Sequence, residues 1–183
     1  MNKGFLQVIE NKPIADQVYL LTLAGDLVTE MTAPGQFLHL RCAEGIDPLL
    51  RRPISICDVD LEKKEVKIIF RAEGRGTKLL AESLPGERLD VLGPLGTGFP
   101  IAHRQAGERV LLVGGGVGVP PLYYLSKQLK EKDVEVTHIL GFQSAPNVFF
   151  VDEFSALGKT YVATDDGTYG RAGLVTQIIN DWP

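Results

Sequence analysis

Four apolar residues, Val110-Leu111-Leu112-Val113, run directly into Gly114-Gly115-Gly116-Val117-Gly118 and then into Val119-Pro120-Pro121-Leu122. A short apolar run containing two valines is the pattern of a strand covered on both faces. Glycine permits positive φ and leaves room where another group must come close. Four glycines in five residues cost more chain entropy than an ordinary turn requires. Prolines are tolerated in the first turn of a helix, and Leu122, Leu125 and Leu129 then recur at helical spacing. The stretch therefore predicts a strand, a tight glycine turn and a helix over about 119–131. Orphan N–H groups and the helix dipole at such a junction suit an anion. A tight turn with glycines for packing alone is the alternative. The pattern favours a phosphate or a dinucleotide without saying which.

The alternation continues downstream. Val134 to Leu140 and Lys159 to Thr164 read as strands, Pro146 to Leu157 as weakly helical, and Gly173 to Ile179 as the start of a helix. Ser126, Lys127, Lys130 and Glu131 are placed on the polar side of the first helix, and a turn is expected at Gly141. Strands alternating with helices predict a parallel sheet, whose ligands lie beyond the strands' C-terminal ends. Gly114 to Gly118, Gly141-Phe142-Gln143-Ser144 and Thr164-Asp165-Asp166-Gly167 all fall there. Asp165 and Asp166 either accept from ligand hydroxyls or terminate the strand. Three strands make a small sheet of this type, so the expectation is an incomplete α/β domain over residues 101–183, truncated or completed by a partner.

Residues 1–100 show a different period. Phe5 to Ile9, Val18 to Leu23, Phe37 to Arg41, Val66 to Phe70 and Arg88 to Leu92 are strand-like, Arg51 to Cys57 is partly extended, and Asn11 to Asp16 reads as a turn. Thr77 to Glu82 is the one short helix, with Thr77 as its N-cap. The pattern predicts a small antiparallel β-barrel. Gly93 to Pro100 reads as a rigid connector without regular structure, with Phe99 covering a bound ring or plugging a junction.

Two spots in this half suit a phosphate. Arg51-Arg52-Pro53-Ile54-Ser55 sets an arginine fork beside a rigid proline, and such a fork matches phosphate oxygens bidentately. A surface arginine pair lying over an apolar strand is the alternative. Gly74-Arg75-Gly76-Thr77 opens the short helix and offers backbone N–H groups, or is a capped connection and nothing more.

Other chemistry is excluded by what the sequence lacks. A net charge of -4 without a basic cluster argues against nucleic acid as the main partner. No apolar run approaches the length of a membrane span, and no secretory leader is visible. The two cysteines, Cys42 and Cys57, form neither a metal-ligand series nor a disulfide framework and read as small buried residues of a cytoplasmic protein. His138 and His39 read as packed histidines and His103 as a surface one. No nucleophilic triad, carboxylate pair or metal set appears, so no catalytic side chain is assigned. A phosphate-binding barrel followed by a dinucleotide-type α/β domain suits redox transfer between two bound cofactors, where the protein supplies placement and electrostatics.

Arg52-Pro53-Ile54-Ser55, Gly76-Thr77, Leu92-Gly93-Pro94-Leu95-Gly96, Gly114 to Pro121 and Thr164-Asp165-Asp166-Gly167 together resemble the ferredoxin-reductase superfamily. Within it the chain is most similar to the electron-transfer subunits of type B, NAD-dependent dihydroorotate dehydrogenases of pyrimidine biosynthesis. The resemblance implies FAD on Arg52, Pro53, Ile54 and Ser55, on Ile69, Phe70 and Arg71, and on Gly76 and Thr77. It implies NAD(H) over Gly115, Gly116, Val117, Gly118, Val119 and Pro120, with Gly141, Gln143 and Asp165 nearby. It also implies an FMN-containing catalytic subunit as partner and, in full-length relatives, a cysteine-rich segment holding a 2Fe–2S cluster, whose ligands are not in this sequence. A related NAD(P)H-dependent flavin, ferredoxin or sulfur reductase subunit, or a non-catalytic nucleotide-binding module, are the other readings.

Overall fold

The computed structural model describes residues 2–45 and 47–180. The chain divides into two units between Phe99 and Pro100.

Six strands close the first unit into a barrel: β1 (Asn2–Ala15), β2 (Val18–Ala24), β3 (Phe37–Leu40), β4 (Arg52–Asp60), β5 (Glu65–Arg71) and β6 (Arg88–Leu95), ordered β1-β2-β5-β4-β3-β6. Every neighbouring pair is antiparallel. Alternation sets the faces: Leu6 and Val8 point into the core while Phe5 and Ile9 face outward. Leu21, Leu23, Leu38, Leu40, Ile56, Ile68 and Val91 complete an apolar interior, and burial of these side chains drives closure. One short helix, α1 (Arg75–Ala81), follows β5.

Two local expectations are corrected here. Asn11 to Ala15 is strand, because its pairing with β2 continues to Ala15↔Val18 past a register shift at Pro13. The reversal shrinks to Asp16 and Gln17, with Gln17 at φ 55°. Asn11 acts as a cap at long range, since its Nδ2 donates to the carbonyls of Leu80, Ala81 and Ser83 at 3.0–3.1 Å and closes the C-terminal end of α1. The segment from Gly93 is also partly regular, since β6 carries on to Leu95, which pairs with Phe37. Phe99 donates its N–H to Pro34 O at 2.8 Å, and its ring lies against Gly35, where φ is +90° and a Cβ would stand 2.6 Å from the ring. A side chain at position 35 is excluded on both counts.

The second unit is a four-stranded parallel sheet ordered β10-β9-β8-β7, built from β7 (Arg109–Gly115), β8 (Glu135–Phe142), β9 (Lys159–Thr164) and β10 (Arg171–Ala172). Three helices, α2 (Pro120–Lys130), α3 (Val151–Ser155) and α4 (Val175–Asn180), flank it. Ile139 and Ala163 pack with Ile178 of α4, whereas the adjacent His138 meets Ser126 of α2 and Phe154 of α3. Neighbouring residues on a strand face opposite ways, so α4 covers one face and α2 with α3 the other. Leu122, Leu125 and Leu129 are buried at the predicted spacing.

Ser126 departs from expectation. It is fully buried, and its hydroxyl lies 2.8 Å from His138 Nε2. His138 Nδ1 lies 3.0 Å from Thr160 Oγ1, which itself donates to Gly158 O. The histidine is thus packed, as expected, and burial holds its pKa down at about 4. His39 is only half-buried, tilted against Phe37 at 5.5 Å, and His103 is exposed. Gly141 is inside β8, not in a turn. The weakly helical stretch breaks into a 3-10 turn (Ala145–Asn147) and the short α3, because Phe150 takes a left-handed conformation with φ 61° while Phe149 packs edge-on to Phe142 at 5.2 Å. The two-residue β10 was outside the sequence expectation.

Candidate functional site

In the barrel unit, the β4–β5 ladder runs from Asp60↔Glu65 to Ile56↔Ile68. Arg52 to Ser55 lie beyond its end and pair with β3, while Ile69 to Arg71 pair with β2. The two expected segments therefore occupy neighbouring strands where they part. Arg52 folds across α1: a Cβ on Gly76 would stand 2.8 Å from Arg52 Nε and 3.2 Å from Cys42 Sγ. Only glycine leaves that approach open. Arg52 donates to the carbonyls of Leu50 and Arg51 at 2.8 and 3.4 Å, and no ion pair with a carboxylate is found for it among the described residues. The result is a guanidinium beside the N–H groups that open α1, a donor set that fits a phosphate.

The arginine fork is not a pair. Arg51 is committed elsewhere, with Nη1 donating to Asp90 O at 2.8 Å and to His39 O at 3.3 Å, and Nη2 to Asp90 Oδ2 at 2.8 Å. Arg51 fastens β4 to β6; Arg52 alone faces Gly76. Thr77 is the third residue of α1 and not its N-cap. Its hydroxyl accepts from Gly74 N–H at 3.1 Å and donates to Gly74 O at 3.0 Å, so it stiffens the loop that positions Gly76. Ile69 and Phe70 are buried, and Phe70 stacks on Tyr19 with centroids 6.0 Å apart; these two can offer a ligand only backbone. Arg71 is different. It pairs with Glu73 at 3.2 Å, yet its Nε is buried without a hydrogen-bond partner, a state that ordinarily marks an absent acceptor. Pro53 is exposed, and Ile54 and Ser55 are half-buried.

In the α/β unit, Gly115, Gly141 and Ala163 share one row across three strands. Asp165 N–H donates to Phe142 O at 3.1 Å and Asp166 N–H reaches Gln143 O at 3.4 Å, so the loops after β7, β8 and β9 sit at one sheet end. The glycines divide by job. A Cβ on Gly114 would meet Leu122 Cδ1 at 2.8 Å and Gly118 O at 3.2 Å, and one on Gly141 would meet Val175 Cγ1 at 2.6 Å; these two serve packing. A Cβ on Gly116 or Gly118 would meet nothing within 4 Å, and one on Gly115 only Gly141 O at 4.0 Å. Open space over three glycines is a surface that packing does not explain, and only Gly116 has positive φ, at +52°.

The helix start differs from expectation in one respect. Pro120 and Pro121 have no N–H, and Val119 N–H donates to Gly116 O at 3.1 Å. An anion held here is met by the glycine turn and not by the first turn of α2. Val119 and Pro120 are buried, while Val117, Gln143 and Asp165 are exposed. Asp166 is a turn former: its carboxylate accepts from Thr168 N–H at 3.0 Å and Thr168 Oγ1 at 2.6 Å, bonds that hold its pKa below the usual range.

Cys57 is buried, as expected for a small core residue, and Cys42 is only half-buried. Burial pushes the Cys42 thiol's pKa up against the opposing pull of Arg52. No group of three or more His, Cys, Asp or Glu side chains able to hold a metal ion is found among the described residues. Nor is any helix there long and apolar enough to cross a membrane.

Among curated proteins, the chain is 56% identical over 182 residues to the dihydroorotate dehydrogenase B (NAD(+)) electron transfer subunit of Bacillus mycoides, covering 100% of this chain and 70% of the relative. It is 55% identical over 181 residues to the same subunit of Bacillus pumilus, covering 99% and 70%. The chain belongs to this family of electron transfer subunits. It spans about 70% of the length of these family members.

Solved structures share the fold. A chain of an NADH-dependent reduced ferredoxin-NADP oxidoreductase, described for flavin-based electron bifurcation, superposes with a TM-score of 0.85 at 29% identity, over 97% of this chain and 63% of that one. The ferredoxin reductase of carbazole 1,9a-dioxygenase shares the fold with a TM-score of 0.81 at 18% identity, over 98% and 56%. No family model matches the sequence.

Proposed function

We propose that this chain carries electrons between NAD(H) and FAD and delivers them to the FMN-containing catalytic subunit of a dihydroorotate dehydrogenase. The observation that carries the flavin half is Arg52, a guanidinium without a carboxylate partner among the described residues, closed over a glycine that has no room for a side chain. Residues 1–100 then form the flavin domain and residues 101–183 the nicotinamide domain. Arg52 and the backbone of Gly76 and Thr77 hold the FAD diphosphate. Pro53, Ile54 and Ser55 and the edge of β5 at Ile69, Phe70 and Arg71 place the flavin ring, with Arg71 Nε as a waiting donor. On the second unit, Gly115, Gly116 and Gly118 give the backbone access to the dinucleotide phosphates, and Val117, Gln143 and Asp165 are the exposed side chains around it. Val119, Pro120 and Gly141 shape that turn from beneath. Hydride exchange between nicotinamide and flavin belongs to the cofactors themselves.

The test is flavin retention. Purified protein takes up FAD and shows flavin absorption that NADH bleaches. Arg52→Ala removes a charge-assisted contact of about 1.5–3 kcal/mol and weakens FAD binding by about tenfold or more. Protein that takes up no FAD, or an Arg52→Ala variant that holds it equally well, refutes the reading. The 29% identity to the NADH-dependent reduced ferredoxin-NADP oxidoreductase chain supports a second reading, with ferredoxin as the acceptor. Capture of an FMN subunit in a pull-down supports the first reading, and NADH-driven ferredoxin reduction without such a partner supports the second.

A further inference from the structure

Ser126, His138 and Thr160 join three elements of the α/β unit at one level, α2, β8 and β9, with His138 opposite Thr160 in the sheet register. No part of the proposed function uses this chain of bonds. We propose that His138 is a positioning residue for the dinucleotide: through Ser126 it sets where α2 sits along the sheet, and through α2 the conformation of the glycine turn at Gly114 to Gly118. The proposal rests on the reading above for what the turn binds, and on the geometry for the coupling.

The direction of the chain is fixed at its far end. Thr160 Oγ1 donates its one proton to Gly158 O at 3.1 Å. Toward His138 Nδ1, 3.0 Å away, it therefore accepts, and Nδ1 carries the ring proton. Nε2 is then bare and receives the Ser126 hydroxyl at 2.8 Å. Ser126 and His138 are both fully buried, where an unmade hydrogen bond is more costly than at the surface. Phe154 stands edge-on to the imidazole at 4.9 Å, and a Cβ on Gly158 would come within 3.3 Å of Cε1. The ring is held in one orientation.

Helix α2 needs such a tether. Leu122, Leu125 and Leu129 bury its apolar face, but apolar burial is non-directional and tolerates sliding, whereas a short hydrogen bond selects one position. The start of the helix adds little, because Pro120 and Pro121 have no N–H and Val119 N–H is committed to Gly116 O. Helix and turn meet over Gly114. A Cβ there would stand 2.8 Å from Leu122 Cδ1 and 3.2 Å from both Gly118 O and Val119 Cα. A displaced α2 therefore carries Leu122, Val119 and Gly118 with it and reshapes the open turn.

The experiment compares variants that remove the tether with one that removes packing alone. Ser126→Ala deletes the hydroxyl, Leu129→Ala deletes buried apolar surface on the same helix, and His138→Gln keeps an acceptor oxygen for Ser126 that His138→Ala lacks. FAD-loaded protein is titrated with NADH, flavin reduction is followed, and each variant is unfolded thermally. Ser126→Ala is expected to raise Kd and KM for NADH by about tenfold, the loss of roughly one bond to a phosphate, with kcat and FAD affinity unchanged. Leu129→Ala lowers the unfolding temperature and keeps wild-type NADH affinity, and His138→Gln binds NADH more tightly than His138→Ala. Ser126→Cys, a near-isosteric but weak donor, replaces Ser126→Ala should that variant not fold. Wild-type NADH affinity without the hydroxyl overturns the proposal, as does an affinity that falls in step with unfolding temperature across all variants. If wild type binds no NADH, the nucleotide reading fails by itself. The coupling is then judged on the amide resonances of Gly114 to Gly118: shifts in Ser126→Ala that Leu129→Ala does not produce sustain it, and an unmoved turn overturns it.

Discussion

Gly118→Ala and Gly115→Ala separate fold from ligand at the turn after β7. Neither glycine has positive φ, and an added Cβ meets nothing within 4 Å at Gly118 and only Gly141 O at 4.0 Å at Gly115. Replacing glycine by alanine where the conformation permits it restricts the unfolded chain and stabilises by about 0.4–1 kcal/mol. Both variants are thus expected to unfold at the wild-type temperature or a few degrees above it. The methyl group occupies the space that a phosphate needs to reach the turn's backbone. Losing one or two such hydrogen bonds to a charged group, at about 1.5–3 kcal/mol each, weakens NADH binding by about tenfold or more. Gly114→Ala is the control with opposite sign, because its Cβ would stand 2.8 Å from Leu122 Cδ1 and 3.2 Å from both Gly118 O and Val119 Cα. Overpacking of that kind costs about 1–3 kcal/mol. The assays are thermal denaturation and NADH titration of FAD-loaded protein. Wild-type NADH affinity in both Gly115→Ala and Gly118→Ala refutes the assignment of this turn to the dinucleotide.

Two further outcomes concern stability. Because the folded pKa of His138 is depressed to about 4 from 6.5, its contribution is complete above about pH 6.5 and shrinks as pH falls toward 4, by at most about 3 kcal/mol. Denaturant titrations at several pH values should show this slope in wild type and lose it in His138→Gln; a slope common to both assigns it to other groups. For Asp90, burial raises the pKa, but Arg51 and Lys3 outweigh it and hold the carboxyl below its ordinary value, so its support is lost as pH falls through that lowered pKa. Arg51→Ala is expected to cost about 1.5–3 kcal/mol, with part recovered in Arg51→Ala/Asp90→Asn; full additivity of the two changes contradicts the pairing.

What the sequence reveals here, and what it conceals, follows from the range of the interactions. The glycine turn was readable because clustered glycines are locally costly, and the barrel and parallel sheet were readable because hydrophobic period changes near residue 100. Asn11 was not, since the carbonyls it caps belong to Leu80, Ala81 and Ser83, and an asparagine among turn formers looks like one of them. Ser126 reads as the polar side of a helix until His138 on a different element supplies its partner. Arg51 and Arg52 are chemically identical neighbours, and only Asp90, across the barrel wall, tells them apart.

The same point bears on the candidate sites. Within each motif the residues divide between two roles. Ile69 and Phe70 are core residues beside Arg71, whose Nε is unsatisfied; Val119 and Pro120 are buried beside the exposed Gly118. A motif therefore marks where the chain's path is constrained, and only part of it meets a ligand. Substitution should reveal that division directly. Changes at Ile69, Phe70 or Gly141 should lower unfolding temperature and cofactor affinity together, whereas changes at Arg52, Gly115 or Gly118 should move affinity alone. A Phe70→Ala variant with wild-type stability and lost flavin would break the distinction, because a buried phenylalanine that stacks on Tyr19 is expected to cost about 3–5 kcal/mol when truncated.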